Sequence, residues 1–123
     1  MPGQQPPLSL RIALEPDIRL GPGKADLLQG ILETGSIAAA GRRMGMSYKR
    51  AWYLINTLNG YFCEPVVISW KGGRTGGGAE LTDTGRAVLT HFRRMEAVAA
   101  HALADELAQL ERLAAPKLTT DNK

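Results

Sequence analysis

"ETGSIAAAGRRMGMSYKRAWYLINTLN", residues 33–59, is the stretch that decides the fold. Gly35 and Gly45 each stand shortly before a serine, Ser36 and Ser47, placed to cap a helix. Ser36 opens "IAAAGRRM", where Ala38, Ala39, Ala40 and Gly41 are small enough for a second helix to approach closely. Ser47 opens "YKRAWYLINTLN", which runs to about Asn59. Upstream, Leu27, Leu28, Ile31 and Leu32 recur at helical spacing in a helix that starts near Lys24 and closes at Gly35. Three helices with two short breaks, the second at Gly45, form a helix-turn-helix pattern.

The flanks complete an elaboration of that pattern. "LSLRIAL", residues 8–14, alternates apolar and polar positions as a half-buried strand does. "EPD" supplies a turn and "IRL" the return, which predicts an N-terminal β-hairpin. After the helices, "VVISW" reads as a strand, "KGGRTGGG" (71–78) as a loop and "AEL" as the returning strand. Thr82 then caps a long helix from about Asp83 to Ala114, which Pro116 ends. The expected fold is mainly α with small β: a winged helix-turn-helix with an N-terminal hairpin and a long C-terminal helix. One domain, 8–114, is expected between a disordered N-terminus, 1–7, and a flexible tail, 115–123.

Length and composition agree with one folded domain. The chain has 123 residues, 44% of them hydrophobic and 22% charged. No apolar run approaches the roughly 20 residues that cross a bilayer. "MPGQQPPLSL" lacks the cationic and apolar regions of a signal peptide, so a cytoplasmic protein without membrane partners is expected. Cys63 is the single cysteine, which excludes an internal disulfide, and "GYFCEPVV" suggests a small buried hydrophobe. His91 and His101 lie ten residues apart on the last helix, too far for one ordinary metal site, so no metal or other cofactor is expected.

Charge is unevenly spread. No Asp or Glu occurs between Thr34 and Cys63, whereas Arg42, Arg43, Lys49 and Arg50 all do. Extending to Ala79 adds Lys71 and Arg74 against Glu64 alone. That centre is basic and the remaining chain slightly acidic, as expected of a face that binds a polyanion. At 100° per residue, Ala51, Ile55, Leu58 and Phe62 of the third helix face the core, with Lys49, Tyr53 and Asn56 opposite. Arg50 and Trp52 flank that outer face. A cation, a phenol and an amide on a helix suit phosphates and base edges in a DNA major groove. Trp52 reads as a packing residue ahead of a base reader, and Tyr48 is divided between core and phosphate contact. Ser36 and Ser47, with the N–H groups of their helix starts, are further phosphate candidates.

The glycine-rich loop is not a nucleotide P-loop, because GxxxxGK[ST] and the strand–loop–helix order are both absent. Carrying Lys71, Arg74 and Thr75, it suits a wing against DNA backbone or minor groove, the alternative being a loop with no role. No HExxH, GxSxG, CxxC or paired-carboxylate arrangement appears, and the basic centre lacks acids for proton transfer, so catalysis is not expected.

"GPGKADLLQGILETGSIAAAGRRMGMSYKRAWYLINTLN" followed by "EPVVISWKGGRTGGGAELTDTGRAVL" resembles the N-terminal winged-helix domain of ModE-type molybdate-responsive regulators. It is distantly similar to LysR-type DNA-binding domains. "ETGSI", "MSYKRAW", the glycine-rich wing and "LT..G" carry the resemblance, in family order, over about residues 21–95. The resemblance implies a dimeric transcription regulator binding double-stranded DNA. Ser47, Tyr48, Lys49 and Arg50 match its recognition-helix start, and Lys71, Arg74 and Thr75 fall in its wing. Full-length members carry C-terminal oxyanion-binding domains, for which this sequence has no room. Molybdate binding is therefore not carried over, and a short stand-alone member is the expected reading.

A helix from 83 to 114 is about 48 Å long, more than so small a domain can cover. Phe92, Met95, Ala99, Ala102, Leu103, Leu107, Leu110 and Leu113 form an apolar stripe along it. Its early part is expected against its own domain and its later part against a partner, with all eight residues as dimer-interface candidates, giving a homodimer with two reading helices about 34 Å apart. Two rivals remain: a winged-helix interaction module without DNA binding, and an RNA-binding winged helix, disfavoured for want of an exposed aromatic platform. The operator, the sense of regulation and any small-molecule or protein effector are not readable from the sequence.

Overall fold

A computed structural model describes residues 8–72 and 77–116. The expected disordered segment 1–7 and most of the expected tail lie outside them. The described residues form a mainly helical fold with two small hairpins: β1 (Ile12–Leu14), β2 (Ile18–Leu20), α1 (Pro22–Thr34), α2 (Ile37–Arg43), α3 (Tyr48–Tyr61), β3 (Val67–Trp70), β4 (Gly78–Leu81), α4 (Asp83–Ala102) and α5 (Ala104–Leu113).

Local chemistry places most boundaries. Pro22 opens α1 at a position where its missing N–H costs nothing. The Oγ atoms of Ser36, Ser47 and Thr82 accept hydrogen bonds from the N–H groups of Ala39, Arg50 and Gly85, each at 3.0 Å. Gly35 ends α1 at φ 71°. Gly45 takes φ 70° after α2, its N–H donating to Arg42 O while that of Met46 donates to Gly41 O. That paired closure is a Schellman turn, and it needs a residue at ease with positive φ.

Small residues bring the first three helices together. A Cβ on Gly30 would stand 2.9 Å from Ala40 Cβ, and one on Gly41 would stand 3.1 Å from Ala51 Cβ. The α1–α2 and α2–α3 crossings are thus close backbone approaches. Around them Leu27, Leu28, Ile31, Ile55, Leu58, Val66 and Phe92 are buried almost completely. Each such side chain contributes roughly 1.5–3 kcal/mol relative to exposure. Ala51, Ile55 and Leu58 face the core as the helical wheel predicts, with Phe62 half-buried at the helix end.

Both hairpins are antiparallel. In β3–β4, Val67 pairs with Leu81 and Ser69 with Ala79, while Ile68 pairs with Glu80 and Trp70 with Gly78. The hairpin is fastened at its base. Asn59 Oδ1 accepts from the Val66 and Val67 N–H groups at 2.8 and 3.1 Å, and its Nδ2 donates to Val67 O at 3.2 Å. Thr82 N–H donates to Val66 O, and Ala79 N–H donates to Gly35 O at the end of α1. The hairpin is therefore held by the last turns of both α1 and α3.

Four expectations are corrected. The first strand covers only Ile12–Leu14, not 8–14, because β2 ends two residues before Pro22 and leaves residues 8–11 nothing to pair with. Leu32 and Leu14 are exposed. Cys63 is exposed in the bend between α3 and β3 rather than buried. The single helix 83–114 is instead two, divided at Leu103, whose φ of −101° and ψ of 7° leave the helical region. Leu103 N–H still donates to Ala99 O, and Leu103 O still accepts from Leu107 N–H, so the ladder bends rather than stops.

Candidate nucleic-acid interface

The turn at Gly45 sets α3 across the end of α2 and leaves the first turn of α3 in solvent. Ser47, Tyr48, Lys49, Arg50, Tyr53 and Asn56 are all exposed, on the side opposite buried Ala51, Ile55 and Leu58. Tyr48 is 56% exposed and so does not lie toward the core. As the first residue of α3 it projects past the α2 contact, and its ring meets Trp52, one turn on, edge to face at 6.2 Å. Trp52 itself is half-buried and packs on the core. The Arg50 guanidinium lies over the Tyr53 ring at 5.4 Å, which holds its charge on the outer face.

The cations divide into two kinds. Arg42, Lys49, Arg50 and Lys71 are exposed and make no ion pair among the described residues. Arg43 is different: its Nη1 donates to Glu33 Oε1 at 2.5 Å, and Gln29 donates to the other oxygen of the same carboxylate at 2.8 Å. These two hydrogen bonds, Arg43's first, hold the Glu33 carboxyl below the usual glutamate range. The charge of Arg43 is thus answered within its own chain. The gap in acids from Thr34 to Cys63 does not leave it unpaired, because α1 brings Glu33 alongside from just outside that interval.

Across from α3 stands the β3–β4 hairpin, and between them lies an open groove of about 710 Å³. Ser36 and Ala38 from the start of α2, Tyr48 and Trp52 from α3, and Trp70 and Lys71 from the hairpin are among its walls. The structure thereby brings together Ser36 and Trp70, 34 positions apart in the chain. Ser36 is half-buried, and like Ser47 it already uses its oxygen as a cap. Arg74 and Thr75 lie outside the described residues. Trp70, Asn59 and Glu33 were missed in the sequence; an isolated tryptophan beside a glycine-rich loop was the one available signal among the three.

Of the residues expected at a dimer interface, Phe92 is not one. It is wholly buried among the core side chains of its own domain, because the α4 face bearing Leu89 and Phe92 packs inward. Arg93 seals that contact: it pairs with Asp26 of α1 at 2.9 Å and with Glu96 at 3.2 Å. Burial disfavours its charge, but those carboxylates outweigh burial and raise its pKa. Beyond, Met95, Leu103, Leu110 and Leu113 are exposed and Ala99 and Leu107 partly so, together with Val98, which the stripe had not included. No residue of α5 is buried. Among the described residues no helix is long and apolar enough to cross a membrane, and no three metal-ligating side chains cluster.

Curated relatives share much of this chain. It is 43% identical over 96 residues to the molybdenum-pterin-binding protein MopA of Rhodobacter capsulatus, covering 78% of this chain and 36% of that one. It is 40% identical over 88 residues to the molybdenum transport protein ModE of Azotobacter vinelandii, covering 70% and 33%. With the DNA-binding transcriptional dual regulator ModE of Escherichia coli it shares 31% over 118 residues, covering 96% and 40%. The chain is homologous to the N-terminal region of ModE regulators. It spans about a third to two-fifths of the length of these ModE and Mop relatives. No protein-family model matches it. The ModE and Mop relatives are named as regulators, transport and molybdenum-pterin-binding proteins, not as enzymes, in agreement with the non-enzymatic reading.

Proposed function

We propose that this ModE homologue is a transcription regulator that binds double-stranded DNA sequence-specifically as a homodimer. In this reading α2 and α3 are a helix-turn-helix, α3 enters the major groove, and the β3–β4 hairpin is the wing beside it. One observation carries it. The first turn and outer face of α3 present Lys49, Arg50, Tyr53 and Asn56 to solvent, opposite a wholly buried face, with Lys71 across the groove. Cations supply affinity for phosphate, and the amide and phenol supply hydrogen bonds to base edges. Exposed Met95, Val98 and Leu110 give a second copy an apolar face to cover. The names of the relatives suggest molybdenum-linked genes as the regulated set.

The test is selection from a random duplex library, with wild type beside a Lys49→Ala, Arg50→Ala double variant. An enriched, roughly palindromic motif that the variant loses is the expected result. Retention of every duplex alike, weakening steeply with salt, would reduce the protein to a backbone binder. Failure to retain any duplex at low salt would overturn the reading in favour of a protein-interaction module.

A further inference from the structure

Both tryptophans of the chain line the groove between α3 and the hairpin, and only Trp52 belongs to the core. Trp70 ends β3 with half its surface in water. Its cross-strand partner is Gly78, where a Cβ would stand only 2.6 Å from the indole. The ring therefore rests against bare backbone, in a place that any other residue at position 78 would fill. Asn59 and Gly35 fix the hairpin under it. A large aromatic surface is thus seated on backbone, half exposed, beside Lys71 and across from Tyr48. Because the indole already rests against the Gly78 backbone in the unbound protein, less ordering remains to be done when it is used for contact.

In a duplex, one sugar–phosphate strand separates the major groove from the neighbouring minor groove. A helix in the former and a hairpin beside it leave that strand running between them. We infer that the groove seats this strand, with the Trp70 indole packed on its deoxyriboses and Lys71 on a phosphate. The inference rests on the DNA-binding reading and adds to it an apolar contact that the charge pattern does not contain. Deoxyribose presents C–H faces to an indole, and removing both from water is favourable without any counterion release. Trp70 is then distinguishable from Lys71 by how its loss responds to salt.

The experiment uses a duplex enriched with wild-type protein. Affinity is measured against salt for wild type, Trp70→Ala, Trp70→Phe and Lys71→Ala, with thermal melting to establish that each variant is folded. Trp70→Ala is expected to weaken binding about tenfold at every salt concentration with an unchanged slope, and Trp70→Phe to recover part of the loss. Lys71→Ala should instead flatten the slope by about one. In a Trp52→Phe background, where Trp70 is the one remaining tryptophan and is excited selectively over the tyrosines, adding duplex should change its emission. Wild-type affinity in folded Trp70→Ala, with the Trp70 emission unmoved, would overturn the inference while leaving DNA binding intact. A changed salt slope in Trp70→Phe would also overturn it, since packing releases no counterions. Absence of duplex binding by wild type would remove both readings together.

Discussion

The two ends of the C-terminal helical segment present opposite situations. The first turns of α4 carry Gly85, Leu89 and Phe92 into the core, and a Cβ on Gly85 would collide with Val66 O. On α5, one bend later, nothing is buried, and Leu110 and Leu113 are 63% and 81% exposed. Both stretches are amphipathic in sequence, so periodicity alone assigns them the same role. What differs is the supply of surface to cover them: α1 and the hairpin crowd the start of α4, whereas among the described elements α5 packs to a comparable extent only on α4, from which it continues, and none of its residues is buried. An isolated ten-residue helix is marginal in water, and its own hydrogen bonds do not account for it. Amphipathicity states that a helix wants a partner; topology decides whether the partner lies in the same chain.

Four variants break or sharpen that contrast. The largest effect is expected at Phe92, where Phe92→Ala should cost about 3–5 kcal/mol in denaturant unfolding. A cost below 1 kcal/mol would mean that α4 is not anchored there. Asn59→Ala should follow, at about 2–3 kcal/mol, because it strands the Val66 and Val67 N–H groups at a partly buried site. Leu110→Ala, by contrast, should change the stability of dilute monomer by no more than about 0.5 kcal/mol. The same variant should shift sedimentation toward monomer at concentrations where wild type is dimeric. A large monomer destabilisation with unchanged mass would place the partner of α5 within the chain. The smallest effect belongs to Glu33. Its carboxyl titrates below the ordinary glutamate value in the folded protein, so its contribution is present above about pH 4.5 and is lost as pH falls through the folded pKa. Wild type should melt above Glu33→Gln at neutral pH, with the gap closing in acid; a constant gap would remove the Arg43 pairing as its cause.

Legibility in the sequence followed the range of the cause. Ser36, Ser47 and Thr82 were readable as caps, and Gly35 and Gly45 as stops, because each acts within a turn of itself. The buried face of α3 was readable because Ala51, Ile55 and Leu58 obey one period. The Glu33–Arg43 pair was not, since it joins two helices whose crossing is set by Gly30 and Ala40. Phe92 and Leu110 stood in one stripe because their spacing agrees, although only one has a neighbour. Leu103 is an ordinary helix former, and nothing in its composition announces a bend. Arg42, Arg43, Lys49, Arg50, Lys71 and Arg74 are expected from the sequence as one basic centre; of these Lys71 lines the groove, Arg43 is paired with Glu33, and Arg74 lies outside the described residues, while Trp70 and its glycine seat emerge only from the strand register.

Asn59 grips the foot of the hairpin from the last turns of the same helix whose first turn faces outward. The two walls of the groove are therefore spaced like the jaws of a caliper riveted twice, at Asn59 and at Gly35. In the proposed DNA complex, a duplex whose grooves are too wide or too narrow to set its backbone in that gap cannot be met by swinging one jaw alone. Selection by the local width of a duplex would then operate before any base edge is read.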